Sequence, residues 1–195
     1  MNPSPPLANA PCWTGQGAHL KAQPMQMIAV ATALLASAAL SAAAWAQALY
    51  SPPEGDFAIA FPQAPTVQSR PANRSKDVAM RRYVDQDHAR AMVVSIEDYP
   101  DGILPASPNA GVYDHFLRSV ADDRNAQLIS TRAARLAGQP CLEGQIMDPS
   151  GDLEIIRVLM VGQRVYELTY VVPEGADPAG GDAAFFSSFR ITKTP

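Results

Sequence analysis

Cysteine and histidine are scarce in this 195-residue chain, with two of the first and three of the second. Its two cysteines, Cys12 and Cys141, stand far apart with no Cys-x-x-Cys spacing, so no dithiol site is encoded. No His-Glu-x-x-His pair is present to hold a catalytic zinc, and Ser187-Ser188 lacks the Gly-x-Ser-x-Gly elbow that exposes a nucleophile. A phosphate-cradling glycine loop is missing as well; Gly15-Gln16-Gly17 lies in the N-terminal leader and makes no nucleotide site. Charge of one sign never gathers: 19 acidic and 15 basic side chains, a formal net −4, are spread without a block. That balance argues against nucleic acid or an anionic membrane surface as partner. These gaps leave no enzyme class supported and imply no cofactor.

What the chain does carry begins with an apolar leader. Met27 to Ala46 holds no charged residue and ends in Ala44-Trp45-Ala46, a small-x-small arrangement that suits cleavage before Gln47. Residues 1–46 therefore read as an N-terminal extension and signal peptide, with the apolar region at 28–46, and residues 47–195 as one globular domain. The competing reading is an uncleaved signal anchor, since a span takes roughly 20 apolar residues; alanine dominates this one and inserts weakly. Lys21 is the only basic side chain ahead of it, so a start at Met25 or Met27 would give a leader of ordinary length. Cys12 precedes the apolar run, and Asn9-Ala10-Pro11 before it makes no lipobox. Either way the domain is expected to be periplasmic or secreted, or anchored in the inner membrane facing the periplasm. Membrane contact then comes only through an uncleaved leader. With Cys12 removed, Cys141 has no partner for an intramolecular disulfide, and packing must hold the fold.

The strongest pattern is Glu154 to Val172. Two apolar, β-branched arms flank Gly162-Gln163, the pattern of a tight hairpin. Tyr166, Leu168, Tyr170 and Val172 share one face of the second arm, and Val165, Glu167, Thr169 and Val171 the other. The first arm is apolar on both faces apart from Arg157, which predicts a central position in a sheet. Phe57, Ile59 and Phe61 alternate with Ala58 and Ala60 as a short half-buried strand. A second short strand is expected around Thr66 to Gln68, and a hairpin from Val78–Val84 and Arg90–Glu97, with Val78, Met80 and Val84 on one face. Asp98 to Ala110, with three prolines, reads as a surface loop. Gly111 to Asn125 is the one substantial helix, its stripe made by Val112, Phe116 and Val120 with Tyr113 and Leu117 beside them. Leu128–Leu136 and Cys141–Met147 lead as a meander into the central hairpin. A short helix near Asp182–Ser188 and a strand at Phe189–Thr192 close the chain, pinned by Phe185, Phe186 and Phe189. The order predicts an α+β fold, an antiparallel sheet of about six to seven strands flanked by helices.

Candidate sites are few. Asp85, Asp87 and His88 at a hairpin turn could ligate a metal, but four turn residues are polar in any case and match no calcium loop. Asp87, His88 and a nearby serine are the only trio worth testing as a hydrolase. His115 lies on the helix near Asp114, Asp122 and Asp123 and reads as a boundary residue. Cys141 reads as a buried structural thiol, Met80, Met92, Met147 and Met160 as core fill, and Glu143, Glu154, Arg157, Arg164 and Glu167 as cross-strand ion pairs.

Four stretches in order carry a resemblance: Phe57-Ala58-Ile59-Ala60-Phe61-Pro62, Gly138-Gln139-Pro140-Cys141-Leu142-Glu143, Arg157 to Tyr166, and Phe186-Ser187-Ser188-Phe189. Over residues 54–192 the chain resembles bacterial secreted domains of the PsbP-like superfamily, which includes the extrinsic P subunit of photosystem II and a Ran-binding protein of eukaryotes. The resemblance implies an α/β/α sandwich around an antiparallel sheet. It also implies a non-catalytic accessory or binding module, with no catalytic set to transfer; the photosynthetic role is not carried over.

The expectation is a non-enzymatic exported domain that binds a protein or envelope component. The alternative is a small-ligand or lipid carrier with an apolar pocket between sheet and helix, lined by Phe116, Tyr166 and Tyr170. N-terminal sequencing of the exported protein is expected to begin at Gln47; a start at or before Met27 would establish the anchor instead.

Overall fold

The computed structural model describes residues 49–72, 77–87, 89–176 and 180–193; the leader reading and His88 fall outside these. The chain runs β1 (Leu49–Tyr50), β2 (Phe57–Ala60), β3 (Thr66–Arg70), β4 (Ala79–Gln86) and β5 (Ala91–Asp98), then helix α1 (Ala110–Asp123). It continues through β6 (Gln127–Leu136), β7 (Gln139–Met147), β8 (Leu153–Val161) and β9 (Arg164–Val172) to helix α2 (Gly181–Ser188) and β10 (Arg190–Ile191).

The central hairpin forms as its pattern requires. Gly162 sits at φ 60, a conformation that side chains resist, and Val161 pairs with Arg164 across the turn. Seven strands make one antiparallel sheet in the order β3-β4-β5-β9-β8-β7-β6, so β9 is its middle strand. The α+β architecture is the expected one. Alternate residues of β9 point to opposite faces. Tyr166, Leu168 and Tyr170 join Phe185, Phe186 and Phe189 around α2, while Val165 joins Tyr113 and Leu117 of α1. The helices therefore lie on opposite faces of the sheet.

Three details depart from the sequence reading. The Phe57–Ala60 strand does not join the main sheet; with β1 and β10 it makes a small second sheet, and both of its faces are buried. Its aromatic partners explain this: the Phe57 ring stacks on Phe189 and meets Tyr83 edge-on at 5.1 Å. On β4 the buried side chains are Tyr83 and Asp85, opposite to the Val78, Met80 and Val84 face, because Tyr83 is drawn into that aromatic group. On α1 the fully buried stripe is Tyr113, Leu117 and Ala121; Val112, Phe116 and Val120 are only half-buried.

Helix α1 starts where Asn109 accepts the Val112 N–H on its side chain, a standard N-cap. It sits on β7 and β8 through two close contacts. The Tyr113 hydroxyl accepts the Met160 N–H at 3.3 Å, a group that points toward the Pro140 end of β7, where the ladder has already stopped at Leu142. Leu117 lies over Gly144 so closely that an added Cβ would meet its Cδ1 at 2.9 Å. Gly144→Val is expected to destabilise the domain by about 1–3 kcal/mol, and Leu117→Ala in the same chain to recover part of that loss. Denaturant unfolding of the two single variants and the double variant checks this; additive losses would contradict the contact.

Candidate functional site

Helix α1 covers only the β6-β7-β8 half of its face, and a row of polar side chains crosses the rest between Met80 on one side and Val84 and Val93 on the other. In register across the sheet, Arg82 faces Ser95, Ser95 faces Glu167, and Glu167 faces Val158. Arg82 Nε donates to Ser95 Oγ at 3.2 Å. Arg124, at the C-terminal end of α1, reaches down to two strands at once: one guanidinium nitrogen donates to Glu154 of β8 and the other to Glu167 Oε1 of β9 at 2.7 Å. Thr169 Oγ1 donates to the same Glu167 oxygen at 3.3 Å. Glu167 is 4% exposed and Glu154 8%, so two nearly buried carboxylates share one cation. Burial raises the Glu154 carboxyl above its ordinary value, opposed by Arg124.

Between α1 and the uncovered half of the sheet runs an open groove of about 410 Å³. Val112, Phe116, Val120, Leu104 and Met160 give it apolar walls, and Arg70, Glu97, His115 and Asp123 lie along its rim. The loop from Tyr99 to Asn109 is the expected surface loop, exposed over most of its length, and through Tyr99 and Leu104 it also forms one wall. Gln163, in the central turn, clamps it: the side chain accepts the Leu104 N–H at 2.9 Å and donates to the Leu104 carbonyl at 3.0 Å. The Gln163 carbonyl also accepts the Tyr99 N–H at 2.8 Å. Tyr99 in turn donates its hydroxyl to Glu97 at 2.7 Å, and burial and that carboxylate together push its ionisation well above the usual range. Tyr99, Leu104 and Arg124 were not visible as site residues; the Ile103-Leu104 pair among the prolines was the available signal.

The residues nominated from sequence separate. Phe116 lines the groove, but Tyr166 and Tyr170 lie on the α2 side of the sheet, inside the aromatic core, so the three do not share a pocket. The reason is the two-residue alternation of β9, which sends its even-numbered side chains away from α1. Asp85 is buried and accepts the Gln63 N–H at 2.9 Å, whereas Asp87 accepts the turn amides of Ala89 and Arg90. Among the described residues no three His, Cys, Asp or Glu side chains converge as metal ligands. His115 is exposed on the groove rim with Asp123, and Asp114 pairs instead with Arg118 at 2.8 Å. Cys141 is buried and its thiol is pushed up to about 11 by burial, which leaves it a poor nucleophile. Ser187 and Ser188 donate to the carbonyls of Ala184 and Phe185 within α2.

The charged residues divide between the faces. On the α2 side Glu143, 1% exposed, is held by Arg157 at 2.8 Å and Arg132 at 2.6 Å, and both arginines oppose it directly in register. Arg157 also lies 4.4 Å over the Phe186 ring. Arg164 pairs with its register partner Asp98 and with Asp56, which Arg81 also contacts at 2.7 Å. For Glu143, Arg157 and Arg164 the cross-strand expectation holds. Glu154 and Glu167 instead find their cation on the helix.

No family model matches this chain, and no curated protein does. Among solved structures it is similar to cyanobacterial PsbP (CyanoP) from Synechocystis sp. PCC 6803, with a TM-score of 0.51 and 16% identity. The match covers 74% of this chain and 91% of that one. The likeness is one of fold, and the fold is PsbP-like.

The raised Glu154 carboxyl gives a pH signature. A carboxyl raised in the folded state binds its proton there first, so its stabilising share is complete below the unfolded value near 4.5 and is lost as pH rises through the folded value. Over that window above pH 4.5 the native protein is expected to lose stability relative to Glu154→Gln. Parallel stability–pH curves, read from urea midpoints, would contradict it.

Proposed function

We propose that this chain is a non-enzymatic accessory domain of the cell envelope, and that it binds a protein or another envelope component along the α1 groove. The observation that carries the reading is the contrast between the two faces. The α2 side is filled by Phe57, Tyr83, Tyr166, Phe185, Phe186 and Phe189, each at most 1% exposed. On the α1 side a half-buried apolar stripe of Val112, Phe116 and Val120 borders an open depression with a mixed-charge rim. An open, partly apolar trough suits a partner's surface better than a carried small molecule, which needs a site that encloses most of it. The PsbP-like fold supports an accessory role, and the apolar leader supports export.

No helix of the described residues is long and apolar enough to cross a membrane. Mixed rim charge and the formal net −4 favour a protein or uncharged envelope component over nucleic acid.

Photo-crosslinking residues placed at Ser119 and His115 of the full chain are expected to trap one common partner in cells. The same residue at Ser150, on the β7–β8 turn, is expected to trap none. Phe116→Arg should cut the adduct yield by about tenfold, as removal of an apolar anchor does. Equal yields from Ser150, or a yield indifferent to Phe116→Arg, would overturn the assignment of the groove.

A further inference from the structure

Strand β6 is the outer edge of the seven-stranded sheet and, at ten residues, its longest strand. Every residue from Ile129 to Ala133 is exposed, and Ile129 is 49% exposed despite its size. The β6–β7 turn fixes which backbone groups are spoken for. Leu136 and Gln139 close a two-residue turn whose central residues, Ala137 and Gly138, both have positive φ, at 49 and 76. In such a hairpin the closing pair exchanges both hydrogen bonds, and pairs alternate from there. Leu136, Ala134 and Arg132 therefore bond to β7, whereas Arg135, Ala133 and Thr131 turn their N–H groups outward. The Arg135 carbonyl is met by Arg157 at 3.1 Å; Thr131 and Ala133 have no outward partner among the described residues.

Sheet edges are usually blunted by proline, by charged side chains, lysine above all, by shortness or by a bulge, and of these β6 has a bulge at one end and two arginines, Arg132 and Arg135. The segment Gln127–Leu136 contains neither proline nor lysine. Its single irregularity lies between Leu128 and Ser130, which leaves the run from Ser130 onward in regular register. That bulge opens a depression of about 240 Å³ lined by Arg118 of α1 and by Leu128, Ile129, Ser130 and Thr131. Three arginines thus border the edge: Arg118 at the depression, Arg132 with a side chain 68% exposed, and Arg135. The nearby carboxylates do not cancel them. Asp114 offsets Arg118, but Glu143 is shared by Arg132 and Arg157, so the strand remains positive in a chain that is negative overall.

We propose that β6 is a second docking site, independent of the α1 groove, and that it takes an extended acidic segment of a partner protein as an eighth strand. The segment's main chain pairs with Thr131 and Ala133 and, through its N–H alone, with Arg135. Its acidic side chains meet Arg132 and Arg135, and one side chain enters the depression beside Arg118. Main-chain bonds supply the affinity and the arginines and depression the selectivity, as in other strand-addition complexes.

The test uses the full chain and a synthetic peptide of about ten residues in which pairs of glutamates alternate with pairs of valines, so that both faces of the added strand carry acid, its lysine–valine counterpart serving as control. Amide hydrogen exchange is followed residue by residue. The acidic peptide is expected to slow exchange at Thr131, Ala133 and Arg135 by about tenfold or more, with no change at Arg132 and Ala134. Ala133→Pro removes the central outward N–H at a place where an edge strand tolerates proline, and should abolish the protection. Arg135→Glu, which leaves the backbone intact, should weaken the acidic peptide and favour the basic one. Equal protection by both peptides, or none by either, would overturn the proposal. Concentration-dependent protection without peptide would also overturn it, since β6 would then pair with a second copy of this chain.

Discussion

The molecule depends on one strand having to be buried on both faces. β9 carries Tyr166, Leu168 and Tyr170 toward α2 and Val165, with the buried Glu167 and Thr169, toward α1, so both of its faces are shut off from water. A strand of that kind cannot lie at an edge, and with β8 as its hairpin partner it draws β5 to one flank and β7 beyond the other. Burial on both faces also dictates a helix on each side. That is the physical content of the sandwich.

The two faces meet this demand differently. Around α2 the aromatic rings close completely, helped by the second small sheet. Around α1 the cover is partial, and where helix gives out, polar side chains cross the sheet: Arg82, Ser95, Glu167 and Thr169 occupy positions that a closed core would fill with aliphatic groups. Isolated carboxylates there would be costly to bury, and Arg124 at the helix end supplies the cation that makes Glu154 and Glu167 tolerable. The groove is thus a consequence of helix length and placement. Gln163 ties its far wall to the central turn, so the hairpin that organises the core also positions the groove.

How much of this was legible follows from what pattern can encode. The hairpin at Gly162, the meander of β6 to β9, the helix over 110–123 and the phenylalanine anchors rest on local periodicity and turn chemistry, and they stand within a residue or two of expectation. The face chosen by β4 was misread because Tyr83 answers to Phe57, a partner 26 positions away that no local alternation reveals. The joint pocket of Phe116, Tyr166 and Tyr170 failed because side chains of the right type lie on opposite sides of one sheet. The loop wall at Tyr99 and Leu104 was hidden behind its prolines, since a glutamine clamp from a distant turn leaves no mark in the loop itself.

A strand buried on both faces at the centre of the sheet should be the last element to open, and in this protein that strand is β9. Native-state hydrogen exchange, resolved by residue as denaturant is raised below the unfolding transition, tests this directly. Amides from Val165 to Val172 should exchange only through global unfolding, with opening free energies equal to the full stability, while those of β3 and the free side of β6 exchange through much smaller fluctuations. Opening of β9 at a free energy no greater than that of β6 would contradict the claim.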